Sequence, residues 1–339
     1  MIQELLDKLV RREDLTSEEA SAAMADIMDG TATDAATAGV LTGLAMKGER
    51  PAELVGLART MRDRAVRLSA ACGGAIDLCG TGGDRTGTFN ISSVASLVVA
   101  ACGTRVAKHG NRSVSSRCGS ADLFEALGVP AALPPPVVER MLDAAGMAFL
   151  FAPVFHPSMR HAAPVRRALG FRTAFNLLGP LTNPVRPTRQ VVGVPRPELT
   201  ELLARSLLLL GSERAWVVHG ADGLDEISTV GYTKVSECRQ GAVNTFYIHP
   251  ADYRMARATS ESLRGGDAAV NAGIAREVLG GVQGAPRDIV LLNAAAALLV
   301  AGAAPTIAEG IERAAEAVDS GRAAAVLAGM VHVAAGVES

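Results

Sequence analysis

The chain contains the glycine-rich stretch Asp77-Leu78-Cys79-Gly80-Thr81-Gly82-Gly83-Asp84-Arg85-Thr86-Gly87-Thr88-Phe89-Asn90-Ile91-Ser92-Ser93. An apolar run at Ala75–Leu78 predicts a buried strand before the glycines, and the small apolar residues from Ser92 to Ala101 predict a helix after them. Glycines let the backbone come close to an anion, and the amide N–H groups at a helix start point at it. A strand, a glycine loop and a helix in this order therefore predict a phosphate-binding loop.

Two familiar phosphate-binding motifs do not match this loop. A dinucleotide-binding loop needs a third glycine at the position of Arg85, and a Walker A loop needs a Gly-Lys-Ser/Thr ending that the sequence lacks. Asp84, Asn90, Ser92 and Ser93 add groups that suit a ligand with phosphates, hydroxyls and a bound cation. The alternative is a tight turn whose glycines serve geometry alone, and the density of glycines argues against it.

The composition indicates a globular chain with an aliphatic core. The chain has 339 residues, 49% hydrophobic and 4% aromatic, which is enough for two domains or one large one. Because the net charge is only −2, we expect no nucleic-acid partner. The N-terminal residues do not resemble a signal peptide and no apolar run reaches membrane-spanning length, so we expect no membrane contact and a cytoplasmic location. Five cysteines without C-x-x-C spacing are expected to be reduced and mostly buried: Cys72, Cys79, Cys102, Cys118 and Cys238.

Residues 1–70 are predicted to form a small all-helical domain. Thr16 and Glu19 form a capping-box pattern at the start of one helix. Apolar periodicity predicts two further helices, at Ala35–Met46 and from Pro51 to about Leu68.

Residues 71–339 are predicted to form a larger α/β domain with a mainly parallel sheet, because short apolar runs alternate with helical patterns. The predicted strands are Ala75–Leu78, Thr104–Ala107, Ala148–Phe151, Gln190–Val194, Ala215–His219, Lys234–Cys238 and Val243–Ile248. The last two would form a hairpin with a loop at 239–242. The segment from about 156 to 187 contains no predicted strand and could pack against the N-terminal helices, which would make the first domain discontinuous.

Two further polar stretches follow predicted strands. The first runs from Lys108 to Asp122 and combines basic residues, hydroxyls and glycines, which indicates a second anion-binding loop; the alternative is a charged, solvated loop. The second contains Asp225-Glu226, a carboxylate pair that can bind Mg²⁺ with substrate phosphates, although such a pair alone is more often a surface feature. Because the carboxyl ends of parallel strands meet at one sheet edge, the three loops together predict a Mg²⁺-bound polyphosphate.

A fourth stretch, from His156 to Thr173, is basic, and the turn-rich segment Asn176–Pro184 follows it. An arginine in this stretch could hold a substrate carboxylate through paired N–H bonds. The alternative, which we favour for most of these basic residues, is that they solvate a helix surface.

Together these four stretches strongly resemble the anthranilate phosphoribosyltransferases, a family of tryptophan biosynthesis. The resemblance runs in order along nearly the whole chain, through the motifs Gly80-Thr81-Gly82-Gly83-Asp84, Asn90-Ile91-Ser92-Ser93, Lys108 to Ser116, Gly119 to Asp122, Asn176 to Pro184 and Gly223-Leu224-Asp225-Glu226. It implies a small helical domain and a larger α/β domain of the type shared with pyrimidine nucleoside phosphorylases, usually in a homodimer. It also implies transfer of the phosphoribosyl group from phosphoribosyl pyrophosphate to the amine of anthranilate, with release of pyrophosphate.

The resemblance implies a role for each matching residue. Phosphoribosyl pyrophosphate would be held by Gly80, Gly83, Asp84, Thr88, Asn90, Ile91, Ser92 and Ser93 and, from the other side, by Lys108, His109, Gly110, Asn111, Arg112, Ser113, Val114, Ser115, Ser116 and Ser120. Mg²⁺, in two ions per monomer, would be bound by Ser92, Asp225 and Glu226. Anthranilate would be bound by Asn111 and Arg166, with Gly80 and His109 lining its site. The residues implied in catalysis are Lys108, Asp84 and Arg166.

Two other functions are weighed against this one. A pyrimidine nucleoside phosphorylase of the same fold would use phosphate and a nucleoside, but the Gly80–Asp84 loop and the Asp225-Glu226 pair favour the transferase. A nucleic-acid-binding relative that has lost catalysis is disfavoured by the net charge of −2 and by the intact ligand positions.

Overall fold

The structure is a computed structural model that describes residues 2–69, 74–113 and 117–336. The predictions for Cys72, Val114, Ser115 and Ser116 lie outside the described residues. In the part of the chain that is described, none of the helices combines the length and the apolar character that crossing a membrane requires.

The N-terminal region is helical, and strands and helices alternate after it. The helices are α1 (Ile2–Val10), α2 (Ser17–Asp29), α3 (Asp34–Lys47), α4 (Pro51–Asp63), α5 (Ile91–Ala101), α6 (Ser120–Ala126), α7 (Pro135–Ala145), α8 (Ala152–Phe155), α9 (Ala163–Leu169), α10 (Phe175–Leu178), α11 (Leu199–Leu209), α12 (Ala268–Leu279), α13 (Ala285–Ala301), α14 (Ile307–Asp319) and α15 (Arg322–Ala335). The strands are β1 (Ile76–Gly80), β2 (Val106–Gly110), β3 (Met147–Phe151), β4 (Arg189–Gly193), β5 (Arg214–Gly220), β6 (Thr233–Arg239) and β7 (Ala242–Ile248).

The strands form one sheet in the order β3-β2-β1-β4-β5-β6-β7. The first five strands in this order are parallel, and β6 and β7 continue the sheet as an antiparallel hairpin. The chain passes from β1 outward to β2 and β3 and then returns to β4 on the other side of β1, so the strand order reverses between β1 and β4. Open α/β sheets bind ligands at the carboxyl ends of the strands beside such a reversal. The predicted α/β fold with a mainly parallel sheet is confirmed.

Alternate residues of the strands bury opposite faces of the sheet, as the pleat requires. On one face, Ile76 and Leu78 pack into a large apolar cluster with helices α5 and α13. On the other face, Val192 and Val217 pack into a second cluster that includes helices α2, α3, α4 and α11. Apolar side chains between Ala162 and Leu181 belong to this second cluster, and they therefore pack on the layer that contains the N-terminal helices.

Two local features at the N-terminal helices test the sequence patterns. The capping box of α2 is present, since Thr16 Oγ1 accepts the Glu19 N–H at 3.2 Å and the Glu19 carboxylate accepts the Thr16 N–H at 2.9 Å. The helix that begins at Pro51 ends at Asp63, so its predicted extension to about Leu68 is wrong. Beyond the helix end, the Val66 N–H donates to a backbone carbonyl oxygen at 2.8 Å in the segment after β3, which draws the chain away from the helix axis.

Two boundaries in the sheet also differ from the predicted ones. Strands β1 and β2 extend to Gly80 and Gly110, past the apolar residues that marked them in the sequence, because their polar ends continue the parallel pairing with neighbouring strands. The hairpin loop between β6 and β7 contains only Gln240 and Gly241, rather than four residues. Both residues have positive φ angles, 52° and 79°, as a tight two-residue hairpin turn requires.

Helices α2 and α4 approach closely at Gly56, where a Cβ atom would lie 2.1 Å from the carbonyl oxygen of Ser17 and 2.9 Å from the Cβ of Ala20. We predict that Gly56→Ala lowers the free energy of unfolding by about 1–3 kcal/mol, because the added methyl group forces the two helices apart. Chemical denaturation measures this change. Gly273→Ala in α12 is the matched control, because nothing lies within 4 Å of a Cβ there and alanine favours a helix. Equal losses of stability in the two variants would contradict the prediction.

Candidate active site

Three loops lie together at the carboxyl edge of the sheet. They are the glycine loop after β1 (residues 80–90), the basic loop after β2 (described at residues 109–113 and 117–120) and the acidic loop after β5 (residues 220–226). The Gly82 N–H donates to Asp225 Oδ2 at 3.0 Å, and the N–H of Ser92 in α5 donates to Glu226 Oε1 at 3.0 Å. The acidic loop is therefore hydrogen-bonded directly to the glycine loop and to the first turn of the helix that follows it.

A polar cavity of about 340 Å³ opens between these loops. Its lining includes these predicted site residues: Gly80, Gly83, Asp84, Thr88, Asn90, Ser92, Ser93, Lys108, His109, Gly110, Asn111, Arg112, Ser113, Ser120, Arg166, Asp225 and Glu226. Ile91 differs, because its side chain is 1% exposed and packs in the large apolar cluster instead of lining the cavity. The predicted contact of Ile91 with phosphoribosyl pyrophosphate therefore stays a prediction, and it would involve the backbone at the start of α5 rather than the side chain.

Negative charge is concentrated at one end of the polar cavity. Burial, together with the charges of Asp84 and Glu226, holds the pKa of Asp225 well above its usual value. Burial also raises the pKa of Glu226 to about 7, although the ammonium group of Lys108 opposes this shift. Carboxylates that share one desolvated site cannot all ionise easily, and a bound cation would favour their charged forms.

The donor atoms at this point fit Mg²⁺. This ion prefers oxygen ligands and is commonly held by one or two carboxylates together with waters and substrate phosphates. Asp225, Glu226 and the hydroxyl of Ser92 all line the cavity and supply such oxygens. Across residues 2–69, 74–113 and 117–336, no group of three or more His, Cys, Asp or Glu side chains is placed to hold a metal by itself. Two carboxylates and one hydroxyl leave ligand positions for waters and substrate phosphates, so this donor set suits an ion that arrives with a phosphate-bearing ligand.

Lys108 lies beneath the glycine loop, and only 2% of the residue is exposed. Its Nζ donates to the carbonyl oxygen of Leu78 and to Ser92 Oγ, the latter at 3.2 Å. Burial lowers the pKa of Lys108, while the nearby carboxylates of Asp77 and Glu226 oppose this shift. The ammonium group is thus held in one place, directly under the hydroxyl that faces the carboxylate pair.

The predicted site residues Asn90 and Arg112 are among those that already have side-chain partners within the protein. Asn90 Nδ2 donates to the carbonyl oxygen of Cys118 at 3.1 Å, and Asn90 Oδ1 accepts from Asn271 Nδ2 at 2.9 Å. The guanidinium of Arg112 forms ion pairs at 2.7 Å with two carboxylates of α6, from Asp122 and from the residue one turn further on. A phosphate that binds Arg112 must therefore share the guanidinium with these carboxylates.

A second, more apolar cavity of about 450 Å³ adjoins the first. The residues common to both linings are Cys79, Gly80, His109, Gly110, Asn111, Arg166, Phe175, Gly179 and Pro180. The other walls come from Met61 of α4 and from residues between 152 and 182. The guanidinium carbon of Arg166 lies 4.9 Å from the centre of the Phe175 ring, and burial lowers the pKa of Arg166. An apolar wall with one guanidinium over an aromatic ring suits a small aromatic acid.

His109 and His156 both line the apolar cavity, with their ring centres 5.3 Å apart. His109 Nδ1 lies 3.1 Å from the carbonyl oxygen of Gly179, while His109 Nε2 has no partner among the described residues. Burial lowers the pKa of His109 to about 3 and that of His156 to about 4. Both rings are therefore neutral at pH 7, and a Nδ1–H bond to Gly179 leaves His109 Nε2 as an acceptor.

The linings of the cavities also include residues that were not singled out in the sequence, among them Met61, His156, Arg172 and Phe175. His156 and Arg172 lie in the basic stretch, but nothing in that stretch distinguishes them from Arg167, which is exposed and lines neither cavity. Met61 carries no polar signal, and it reaches the site only because the N-terminal helices pack on the sheet layer.

Comparison with known proteins first gives the class of this architecture. The helical bundle domain of a glycosyl transferase family matches residues 3–65, and the a/b domain of the same family matches residues 73–324. The helical layer, the mainly parallel sheet and the cavity at its carboxyl edge are thus the parts of a glycosyl transferase.

Individual relatives narrow this class. An anthranilate phosphoribosyltransferase of Syntrophobacter fumaroxidans is 53% identical over 331 residues, which cover 98% of each chain. The crystal structure of anthranilate phosphoribosyltransferase from Thermus thermophilus is 42% identical, with a TM-score of 0.91 over 97% of this chain and 99% of that one. The enzyme from Saccharomyces cerevisiae in complex with PRPP and Mg is 26% identical, with a TM-score of 0.87 over 99% of this chain and 98% of that one. The chain therefore belongs to the anthranilate phosphoribosyltransferase family, and the resemblance seen in its motifs is confirmed.

Acid should destabilise the protein through its buried histidines. The pKa of His156 is about 4 in the fold and about 6.5 in an unfolded chain, so the unfolded chain takes up the proton first as the pH falls. The stability linked to neutral His156 is therefore complete above about pH 7 and is lost between about pH 6.5 and pH 4. We predict that His156→Gln makes the free energy of unfolding less dependent on pH in this window, by up to about 1.4 kcal/mol per pH unit. Urea denaturation of both proteins across the window measures the two slopes, and parallel curves would refute the prediction.

Proposed function

We propose that this protein transfers the phosphoribosyl group of phosphoribosyl pyrophosphate to the amine of anthranilate, and releases pyrophosphate, in tryptophan biosynthesis. The observation that carries the proposal is a polar cavity with a carboxylate pair that shares a wall with an apolar cavity. Gly80, His109 and Asn111 belong to the shared wall, where two ligands would touch. Membership of the family supports the same activity.

The polar cavity would hold the donor. Its amide N–H groups, at the glycine loop and at the start of α5, suit phosphate oxygens. On the side of the glycine loop the proposed contacts are Gly80, Gly83, Asp84, Thr88, Asn90, Ser92 and Ser93, and Ile91 stays a prediction from the sequence. On the side of the basic loop they are Lys108, His109, Gly110, Asn111, Arg112, Ser113 and Ser120, and Val114, Ser115 and Ser116 stay predictions from the sequence.

Asp225, Glu226 and Ser92 would hold Mg²⁺, in two ions per monomer, together with the pyrophosphate of the donor. When bound, Mg²⁺ would supply positive charge to the leaving pyrophosphate. The raised pKa values of Asp225 and Glu226 support this placement, because the two carboxylates share a desolvated site in which a bound cation would favour their charged forms. The complex of the Saccharomyces cerevisiae relative with PRPP and Mg also supports it.

The apolar cavity would hold anthranilate. Arg166 would pair with the carboxylate through its two-donor fork, while Phe175 would pack against the aromatic ring. Asn111 and His109 lie on the shared wall, next to the position of the amine. The unpartnered Nε2 of His109 would accept an N–H of that amine and turn its lone pair toward the donor.

The chemistry needs positioning and electrostatics more than acid–base catalysis. The C–N bond to anthranilate forms as the C–O bond to pyrophosphate breaks, with positive charge on the ribose and negative charge on the leaving group. An aromatic amine is already neutral at pH 7, so it attacks without a strong base and gives up its proton afterwards. Asp84 would bind the donor, and Lys108 and Arg166 would fix the charges at either side of the reacting atoms. The apolar cavity limits access of water, which would otherwise replace the amine.

We also propose the domain boundaries and the assembly. The helical domain would comprise residues 1–70, with the segment from about 156 to 187 packed against it, and residues 71–339 would form the donor-binding domain. Packing of apolar side chains between residues 162 and 181 in the cluster of the N-terminal helices supports this division. The protein would act as a cytoplasmic homodimer. Val10 of α1 and Met46 of α3 are exposed apolar residues, 82% and 69% respectively, and would lie at the subunit contact.

The proposed activity is tested by following anthranilate fluorescence with phosphoribosyl pyrophosphate and Mg²⁺, and with a chelator as a control. A loss of fluorescence that needs donor, acceptor and metal together supports the proposal. No loss with correctly folded protein would overturn it, and phosphate uptake that depends on a pyrimidine nucleoside would then favour the phosphorylase.

We predict that the double substitution Asp225→Asn and Glu226→Gln lowers turnover mainly through loss of Mg²⁺. The amide oxygens can still accept the N–H groups of Gly82 and Ser92, and the repulsion between carboxylates is removed, so the variant should be at least as stable as the unchanged protein. Turnover against Mg²⁺ concentration and thermal unfolding are the measurements. Unchanged turnover of the variant at the Mg²⁺ concentration used for the unchanged protein would refute the assignment of Asp225 and Glu226 as metal ligands.

We predict that Arg166→Ala raises the KM for anthranilate far more than the KM for the donor. Loss of a charged, paired hydrogen bond is expected to change the KM by about 10- to 100-fold. Arg167→Ala is the matched control, since the neighbouring arginine is exposed and lines neither cavity. Equal effects of Arg166→Ala on both KM values would be inconsistent with its proposed role.

A further inference from the structure

The cationic side chains that line the polar cavity differ in their partners. Lys108 is hydrogen-bonded to Ser92 and to a strand carbonyl, Arg112 is paired with two carboxylates of α6, and Arg166 lies over an aromatic ring shared with the apolar cavity. Arg172 lines the same polar cavity and forms no ion pair with any residue that the structure describes. Unlike the buried Lys108 and the carboxylate-paired Arg112, Arg172 is an exposed cation without an ion pair among the described residues.

Arg172 is held at the rim of the cavity by the glycine loop. Its Nη2 donates to the carbonyl oxygen of Thr81 at 3.1 Å. A Cβ atom at Gly83 would lie 1.9 Å from Arg172 Nη1, so a side chain at this position would displace the guanidinium. The φ angle of Gly83 is +88°, which favours glycine as well. The loop thus has a glycine at the position where the guanidinium needs space. An arginine that was only part of the solvated surface would not be expected to fit so closely against the loop.

The surroundings indicate which part of the donor the guanidinium faces. Thr81 precedes Gly82, whose N–H donates to Asp225 Oδ2 at 3.0 Å. The carboxylate of Asp225 lies close enough to Arg172 to oppose the lowering of its pKa by burial. The metal-binding carboxylates proposed above would hold the pyrophosphate, whereas the basic loop on the far side of β1 would hold the 5′-phosphate of the ribose.

We propose that Arg172 binds the pyrophosphate group of the donor at the rim of the glycine loop, a role that rests on the proposed function. One N–H of the guanidinium is used by Thr81, and the remaining donors of the planar fork match two oxygens of a phosphate. Because the pyrophosphate group stays at the same place after the C–O bond breaks, Arg172 would also bind the product pyrophosphate until its release. Helix α9 and the segment that follows it would therefore supply one cation to each substrate, Arg166 to the acceptor and Arg172 to the donor.

Binding of separate parts of the donor tests this role. Inorganic pyrophosphate and ribose 5-phosphate are titrated, in the presence of Mg²⁺, into the unchanged protein, Arg172→Gln and Arg167→Gln, with calorimetry as the readout. We expect Arg172→Gln to weaken pyrophosphate binding about 10- to 100-fold, the range for a lost charged hydrogen bond, and to leave ribose 5-phosphate binding within about twofold. Its KM for phosphoribosyl pyrophosphate should rise by a similar factor. Arg167→Gln removes the same charge from the same segment and should bind both probes as the unchanged protein does.

The outcomes separate this inference from the proposed function. An unchanged protein that binds neither pyrophosphate nor the full donor, and has no turnover, would overturn the proposed function. Normal turnover with unchanged pyrophosphate affinity in Arg172→Gln would overturn the role of Arg172 alone. An equal loss of affinity for pyrophosphate and for ribose 5-phosphate would also overturn the role of Arg172, because this result would indicate a disturbed loop rather than a lost contact. If Arg172→Gln has a lower thermal midpoint, Arg172→Lys makes the same comparison, since lysine keeps the charge but lacks the two-donor fork.

Discussion

A fully buried carboxylate, that of Asp77 in the middle of β1, fixes the geometry of the sheet edge. It accepts the backbone N–H of His109 at 3.2 Å and the side-chain amide of Asn183 at 2.9 Å. Asn183 also donates to the carbonyl oxygen of Ala107 at 2.8 Å, so β1, β2 and the turn after α10 meet at one point. Burial raises the pKa of Asp77, and attraction to Lys108 opposes this shift. Because a buried carboxylate is stable only with its partners in place, these three segments hold one another in register.

The two cavities depend on this arrangement. The turn that contains Asn183 begins with Gly179, whose carbonyl oxygen orients the His109 ring, and His109 belongs to the wall that the cavities share. Gln190 of β4 donates to the carbonyl oxygen of Pro180 at 2.9 Å and fixes the same turn against the sheet. The shared wall therefore includes the backbone of a short turn, which is held in place by side chains of two neighbouring strands.

The sequence could predict the fold class and most of the cavity lining because both depend on local signals. Glycines, hydroxyls and carboxylates that directly follow apolar runs must lie at the ends of strands, and parallel strands bring those ends to one edge; Ser92, Lys108 and Asp225 were found in this way. Met61 and Arg172 could not be found, because their positions depend on how distant segments pack. Ile91 shows a further limit, since a matching motif position does not tell whether a side chain points to the ligand or into the core.

The walls of the two cavities come from different parts of the chain. The polar cavity is built mainly from loops at the sheet edge, whereas the apolar one takes most of its own walls from residues 152–182 and from Met61 of the helical layer. Substitutions within that one continuous segment can reshape the apolar cavity, the proposed pocket for the incoming nucleophile, while the loops proposed to hold phosphate stay intact. Because the two cavities are built from different parts of the chain, the acceptor cavity can change in evolution toward other amines or heterocycles while the donor site is retained. Such a change would require substitutions in only a short stretch of the chain.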